Sequence, residues 1–232
     1  LQSEDYSTVP GLGYKAGNRE VVLNSLPPLV NINDLPIPRF DFAKTYYLSE
    51  DKITSLAEDP EILYSSCSMG YRIFSTRGCS FSCTYCANYK LKAVYKGSGR
   101  IVRSTHPDKV IEELEYAKEI IPNLHQVYFI DDDFTARSKD EFEYLIAEYQ
   151  KKINFQCAFF STWQTLTEAK LDIILKHKLK IDWLKLGLQS ASLRLNKINY
   201  QRHFDKNIFI ERCRRIISNN ITLKIDMILQ NP

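Results

Sequence analysis

No stretch of this 232-residue chain approaches the roughly 20 consecutive apolar residues that a membrane-spanning helix needs. No signal peptide is visible, because the start, Leu1-Gln2-Ser3-Glu4-Asp5, is polar and acidic. A strong excess of one charge is also missing. A formal net charge of +3 is too mild to argue for nucleic acid or a membrane surface as partner. Histidine is scarce. His106 and His125 stand alone, and His177 and His203 sit among Lys or Arg, so no second pair at suitable spacing completes a four-ligand zinc site. Internal repeats and low-complexity tracts are absent. What remains is 44% hydrophobic and 25% charged, which is ordinary for a globular protein. That length supports one good core, or one domain plus an appendage. The chain lacks an initiator Met and stops at Gln230-Asn231-Pro232 directly after an apolar run, so it reads as a fragment of a longer protein.

The cysteines are more telling. Six in a chain of this size, three of them clustered, suit a reducing compartment and a cytoplasmic location. Cys67, Cys157 and Cys213 show no pairing logic, and Cys213 falls four residues after Phe209 in a helical pattern, as a core residue would. The other three lie in Cys79-Ser80-Phe81-Ser82-Cys83-Thr84-Tyr85-Cys86, at spacings of four and three. Three thiolates can hold three corners of a four-iron-four-sulfur cluster, whose usual complement is four Cys. A missing fourth protein ligand leaves one iron open for chemistry.

From Tyr71 onward strands and helices alternate. Strands are expected over 71–75, 126–130, 155–160, 181–188 and 221–229, where the apolar runs are short. Between them, Pro107 opens an amphipathic helix carrying Val110, Ile111, Leu114, Ala117 and Ile121. Ser138-x-x-Glu141 is a capping box ahead of Phe142, Leu145, Ile146 and Tyr149. A helix follows over 167–177, and Asp205 caps a last one that stops at Asn219-Asn220. Such alternation means a parallel sheet with right-handed crossovers. Each strand ends in polar residues: the Cys loop, then Asp131-Asp132-Asp133, Ser161-Thr162, Gln189-Ser190, and Asp226 with Gln230-Asn231. In parallel β/α barrels that rim carries the chemistry. Adjacent carboxylates at 131 and 132 repel one another unless a cation is near, whereas Asp133 reads better as a turn or cap.

The Cys-x-x-x-Cys-x-aromatic-Cys run resembles the signature of the radical S-adenosylmethionine (radical SAM) enzymes. That resemblance implies that Cys79, Cys83 and Cys86 bind the cluster and that the open iron is chelated by SAM, with Tyr85 against the adenine. It implies reductive cleavage of SAM to methionine and a 5′-deoxyadenosyl radical, fed by a reductant such as flavodoxin or ferredoxin. It implies a partial (β/α)6 TIM-like barrel, here ending after about five strands. Asp131-Asp132-Asp133-Phe134-Thr135 is similar to an Asp-Asp-x-Phe-Thr run of the cobalamin-dependent subgroup, and Gly187-Leu188-Gln189-Ser190 to the family's fourth-strand motif. SAM is therefore expected to be held by Tyr85, Asp131, Asp132, Gln189 and Ser190. Arg202 is either a partner of the SAM carboxylate or a surface arginine, because Tyr200-Gln201 intervene where relatives place Arg directly after Asn199. Thr162 and Gln164 stand where many relatives carry Arg and Asp. Asp226 to Pro232 resembles a fifth-strand motif that lines the adenine pocket, or is simply a strand end followed by a turn.

Residues 1–65 differ from the rest. Pro10-Gly11-Leu12, Pro27-Pro28 and Pro36-Ile37-Pro38 punctuate an expected extended segment, with one short helix anticipated over 49–57. Together with Leu29 to Pro38 they resemble the connector that follows a cobalamin-binding domain, which would lie ahead of Leu1. The division expected is thus a connector over 1–65 and an incomplete radical SAM core over 66–232. Two other classes stay open: a non-catalytic iron-sulfur or zinc electron-transfer module, and an RNA-binding or RNA-modifying protein. The latter would use Lys90, Lys92, Lys96, Arg100 and Arg103 with Tyr89 and Tyr95. RNA-modifying methylthiotransferases carry a second set of three Cys, and none is visible here.

Overall fold

The computed structural model describes residues 5–17 and 19–229. Gln230, Asn231 and Pro232, expected at the end of the last strand, lie outside the described residues. A five-stranded parallel sheet is the centre of the structure, with strands β1 (Tyr71–Ile73), β2 (Gln126–Phe129), β3 (Gln156–Ser161), β4 (Ile181–Gln189) and β5 (Leu223–Met227). Their order in the sheet is β5-β4-β3-β2-β1, so each strand lies beside its predecessor. This winding is that of a partial TIM-like barrel. Ile73 lies opposite Phe129, Phe129 opposite Phe159, Phe159 opposite Leu184, and Leu186 opposite Ile225.

Among the described residues, six α-helices accompany the sheet: α1 (Glu61–Ser66), α2 (Ala87–Val94), α3 (Pro107–Ile120), α4 (Lys139–Glu148), α5 (Glu168–Lys176) and α6 (Lys206–Ser218). The helix starts follow from side-chain chemistry. Ser138 Oγ accepts from Glu141 N at 3.3 Å, and Asp205 Oδ1 accepts from Asn207 N and Ile208 N at 2.9 and 3.0 Å. Thr167 caps α5 in the same way. Asn220 ends the last helix in a left-handed conformation, with φ of 58°.

The helix-facing side of the sheet is apolar up to Ser161, which closes it at the rim. Val127, Phe129, Cys157, Phe159, Leu184 and Leu186 are all buried. Phe134 sits at the middle of this layer, with ring centroids 4.3 Å from Phe129, 4.8 Å from Phe159 and 5.7 Å from Phe142. Offset and edge contacts of this kind add to the area term.

Residues 49–57 form no helix. They belong to an antiparallel hairpin of Tyr46–Ser49 with Lys52–Ser55, turned at Glu50, whose φ is 54°. Ile53 and Thr54 are β-branched and favour extended backbone, and Leu56 N closes the hairpin onto Thr45 O at 2.9 Å. Ahead of this hairpin, the segment around Asn33 to Phe40 runs over α3. His106 N donates to Asn33 Oδ1 at 2.6 Å, Lys109 Nζ to the carbonyls of Asn33 and Leu35, and Phe40 N to Tyr116 Oη at 2.9 Å.

Two carboxylates at the end of β2 are buried. Asp131 Oδ2 accepts from Ser75 Oγ and Oδ1 from Thr76 N, both at 2.6 Å. Asp133 accepts from the hydroxyls of Thr135, Ser161, Thr162 and Thr165. Burial raises both carboxyls above the ordinary value of 3.8, against the lowering effect of these hydrogen bonds. A raised native pKa means that the folded state binds the proton more tightly than the unfolded chain. The stability from this source is complete below 3.8 and is lost as pH rises through the folded-state value. Asp133→Asn removes one such titration. Urea unfolding of the variant, followed from pH 3.5 to 7, is expected to show a weaker fall of stability with rising pH than the parent shows.

Candidate active site

The three cysteines of the 79–86 loop line a single cleft at the C-terminal rim of the sheet. The loop leaves a short antiparallel pairing of Thr76–Arg77 with Arg103–Ser104 and runs directly into α2. Gly78, with φ of 79°, makes the entry turn, and a Cβ there would meet Ile101 O at 2.5 Å. Cys86 caps the helix, and its N–H donates to Cys83 O at 3.0 Å. Lys92, two turns along α2, donates from Nζ to Ser80 O at 2.8 Å, Phe81 O at 2.7 Å and Ser82 Oγ at 3.2 Å. The basic stretch after the loop, offered above as an RNA-binding strip, begins in a helix that was not expected there. In the fold, Lys92 braces the cysteine loop, and Arg103 Nη1 donates to Val30 O at 2.9 Å. Two of the five cations of the strip are thereby committed to the protein's own carbonyls.

The far side of the loop is fixed by the segment after β4. Thr84 N donates to Tyr200 O at 3.2 Å, and Thr84 Oγ1 donates to Asn199 O. The Tyr85 and Tyr200 rings meet edge to face at 5.0 Å. Arg202, buried, donates from Nη1 to Tyr85 Oη at 3.3 Å and from Nη2 to Gly187 O at 2.7 Å. It is therefore no surface arginine.

The cleft has a volume of about 180 Å³. Its walls bring together Cys79, Cys83, Cys86 and Tyr85 with Asp132 from the end of β2, Gln189 and Arg202 from β4 and its following loop, and Asp226 from β5. Asp131 and Ser190 are not among the lining residues. Asp131 is turned to Ser75 and Thr76, and the Ser190 carbonyl is held by Asn196 Nδ2 at 2.6 Å. Of the Asp131-Asp132-Asp133 run, only the exposed Asp132 faces the cleft. Ser161 and Thr162 reach the cleft but are bound up with Asp133.

Gln189 is held in an unusual backbone state. Its φ is 66°, Ser190 N donates back to Leu188 O at 2.8 Å, and the β4–β5 register shifts between Gly187 and Gln189. Strained backbone of this kind persists where the surroundings impose it, commonly at ligand sites. The missing side chain of Gly187 leaves room for this turn, since a Cβ there would lie 2.5 Å from Gln189 Nε2 and 3.5 Å from Arg202 Nη1.

All six cysteines are free thiols. Burial pushes the Cys79 thiol up to about 11, partly offset by a hydrogen bond from the Phe81 backbone, with the Asp133 and Asp132 carboxylates adding to the rise. The Tyr85 hydroxyl is raised by burial, with Arg202 opposing. Among the described residues, no three His, Cys, Asp or Glu side chains converge on a point that could hold one metal ion. A four-iron cluster takes each thiolate on a separate iron, so thiols spread around one cleft suit it better than they suit a single ion. Three free thiols, a cradle at Gly187, and Asp132, Gln189 and Arg202 in the same lining make a donor set that fits a cluster beside a small polar cofactor.

The fold and this thiol-lined rim define a partial β/α barrel with its chemistry at the strand ends. Residues 73–231 match the radical SAM superfamily, and the chain belongs to that superfamily. No curated protein matches the chain. A solved structure of the archaeal Methanocaldococcus infernus Elp3 with an N-terminal deletion is similar over 55% of this chain and 35% of that one, at 12% sequence identity and a TM-score of 0.40. The superfamily implies a four-iron-four-sulfur cluster and SAM.

Lys92→Met should loosen the cysteine loop with little effect on the global fold, at a cost of about 1 kcal/mol in unfolding free energy. The reconstituted variant is expected to lose iron several-fold faster than the parent on exposure to a chelator. An unchanged rate would mean that the brace does not control the loop.

Proposed function

We propose that this chain binds a four-iron-four-sulfur cluster through Cys79, Cys83 and Cys86, and SAM through Tyr85, Asp132, Gln189 and Arg202. The observation that supports this most is the shared cleft, in which the three thiols line the walls together with polar residues from the ends of β2, β3, β4 and β5. When bound, the cluster supplies the electron that cleaves SAM to methionine and a 5′-deoxyadenosyl radical. The protein's own part is positional. Tyr85 presents its ring beside the thiols, and Arg202 fixes that ring through its hydroxyl while holding the Gly187 carbonyl. Asp132 offers an exposed carboxylate to the SAM ammonium. Asp131, named from sequence as a second such group, acts in this reading through Ser75 and Thr76, which lead into the cysteine loop. Ser190 acts through the turn it forms with Leu188 and Gln189.

For the whole protein we propose cobalamin dependence, with methyl transfer or rearrangement as the outcome, in the cytoplasm and with a flavodoxin- or ferredoxin-type reductant. The support is the Asp-Asp-x-Phe-Thr run and the Pro-rich stretch over 1–65, read as a connector from a cobalamin-binding domain. Part of that run has a second duty, because Asp133, Phe134 and Thr135 are buried in the core.

Anaerobic iron-sulfur reconstitution, read by reduced-state electron paramagnetic resonance, tests the core of this reading. A cluster signal that shifts on adding SAM is the expected result, and Cys79→Ser, Cys83→Ser and Cys86→Ser should each abolish it. A cluster indifferent to SAM would instead favour an electron-transfer module, and zinc alone would overturn the reading. Gly187→Ala pushes only against the mobile end of Gln189 and the Arg202 guanidinium. Its melting temperature is expected to stay near the parent's, while SAM binding by equilibrium dialysis weakens about tenfold, the effect of losing one charge-assisted contact.

A further inference from the structure

The face of the sheet opposite the helices is aromatic and cationic, and it opens onto the cysteine cleft. Strand alternation sends Tyr128, Phe160 and Trp183 to this side, while their neighbours Val127, Phe129, Phe159 and Leu184 are buried under the helices. The three rings are contiguous, with Trp183 tilted against Tyr128 at 5.8 Å and edge to face with Phe160 at 5.4 Å. Two ammonium groups rest on it. Lys185 Nζ is 5.0 Å from the Phe160 centroid and 5.8 Å from Trp183, and Lys224 Nζ is 4.5 Å from Trp183. Lys185 lies opposite both Phe160 and Lys224 in the sheet register.

Among the described residues Asp226 is the one carboxylate paired with these cations, 3.4 Å from Lys185 Nζ and half exposed. So open an ion pair contributes little and gives way to a competing anion at small cost. Among the described residues Lys224 pairs with no carboxylate. Two ammoniums against one carboxylate leave the face with an excess of positive charge. Phe160, Lys185 and Asp226 also line the cleft with the three cysteines, so a molecule lying on the rings would reach the place where the radical of the proposed function is made.

We propose that this face is the substrate floor, and that the substrate is a flat, mainly apolar molecule bearing an anionic group. The rings take its body, and Lys185 and Lys224 take its charge. The proposal rests on the reading of the cleft as a SAM site. A floor of tilted and edge-on rings accepts a flat apolar body through offset and edge contacts, and ammoniums already poised over rings hold their donors toward an incoming anion. Phosphate and carboxylate share this chemistry.

The test uses the reconstituted 232-residue chain and three naphthalene probes of like shape: 2-naphthoate, 2-naphthyl phosphate and the neutral 2-naphthamide. Binding is followed by isothermal titration calorimetry, with SAM affinity measured separately on the same sample. Either anion should bind about tenfold tighter than the amide, the worth of a hydrogen bond to a charged group, and the tighter anion identifies the headgroup. Lys185→Met and Lys224→Met should each remove that preference, while melting temperature and iron content report an intact fold. Equal binding of all three probes, anion preference that survives both variants, or no binding of any probe would overturn the proposal. Loss of SAM binding with anion preference intact would instead overturn the assignment of the cleft and leave the anion site standing.

Discussion

The end of β2 carries the constraint on which the site depends. Asp131 and Asp133 are carboxylates taken out of water, and burial of such groups is tolerable only when each lone pair is met. Asp131 meets Ser75 and Thr76, which lie just after β1 and just before the cysteine loop. Asp133 meets four hydroxyls from its own turn and from the end of β3. The two side chains thus tie three adjacent strand ends together at the rim. Arg137 adds to the knot, donating to Ser75 O at 2.6 Å and Thr105 O at 2.7 Å, and its charge lies close enough to Asp131 to favour the ionised carboxylate. Only Asp132, between them, is released to the cleft.

A second set of contacts makes the loop itself rigid. Lys92 holds its inner carbonyls from α2, and residues 199–202 hold Thr84 and Tyr85 from the other side. The thiols therefore sit between a helix and a strand-end loop, each with its own hydrogen-bonded support. Catalytic groups need this kind of backing, because a site displaced by an ångström loses much of its effect. The strained turn at Gln189 fits the same logic, since it is stabilised by Ile228 N, which donates to Gln189 O at 2.9 Å from just beyond β5.

Much of this was legible in the chain. Short apolar runs separated by capped, amphipathic helices specify a parallel α/β sheet, and the spacing of Cys79, Cys83 and Cys86 points to cluster chemistry before any fold is known. Helix starts at Ser138, Thr167 and Asp205 were readable because capping is local. The hairpin over 46–55 was not, since a short stretch with Ile53 and Leu56 satisfies helical and extended patterns alike. Helix α2 was hidden by its shortness: it has eight residues, and none of them is buried in the core.

The sequence by itself determined the strand and helix alternation, the thiol triplet and the polar residue closing each strand, because these follow from residue type and short-range spacing. Tertiary structure decided which of those polar residues serve the cleft. Three neighbouring aspartates have the same chemistry on paper, yet a β-strand end points alternate side chains in opposite directions. Two of them became buried struts and one an exposed carboxylate in the cleft lining. Arg202, ambiguous in the chain, was likewise settled only when folding brought it against Tyr85 and Gly187, residues far away in sequence and adjacent in the barrel.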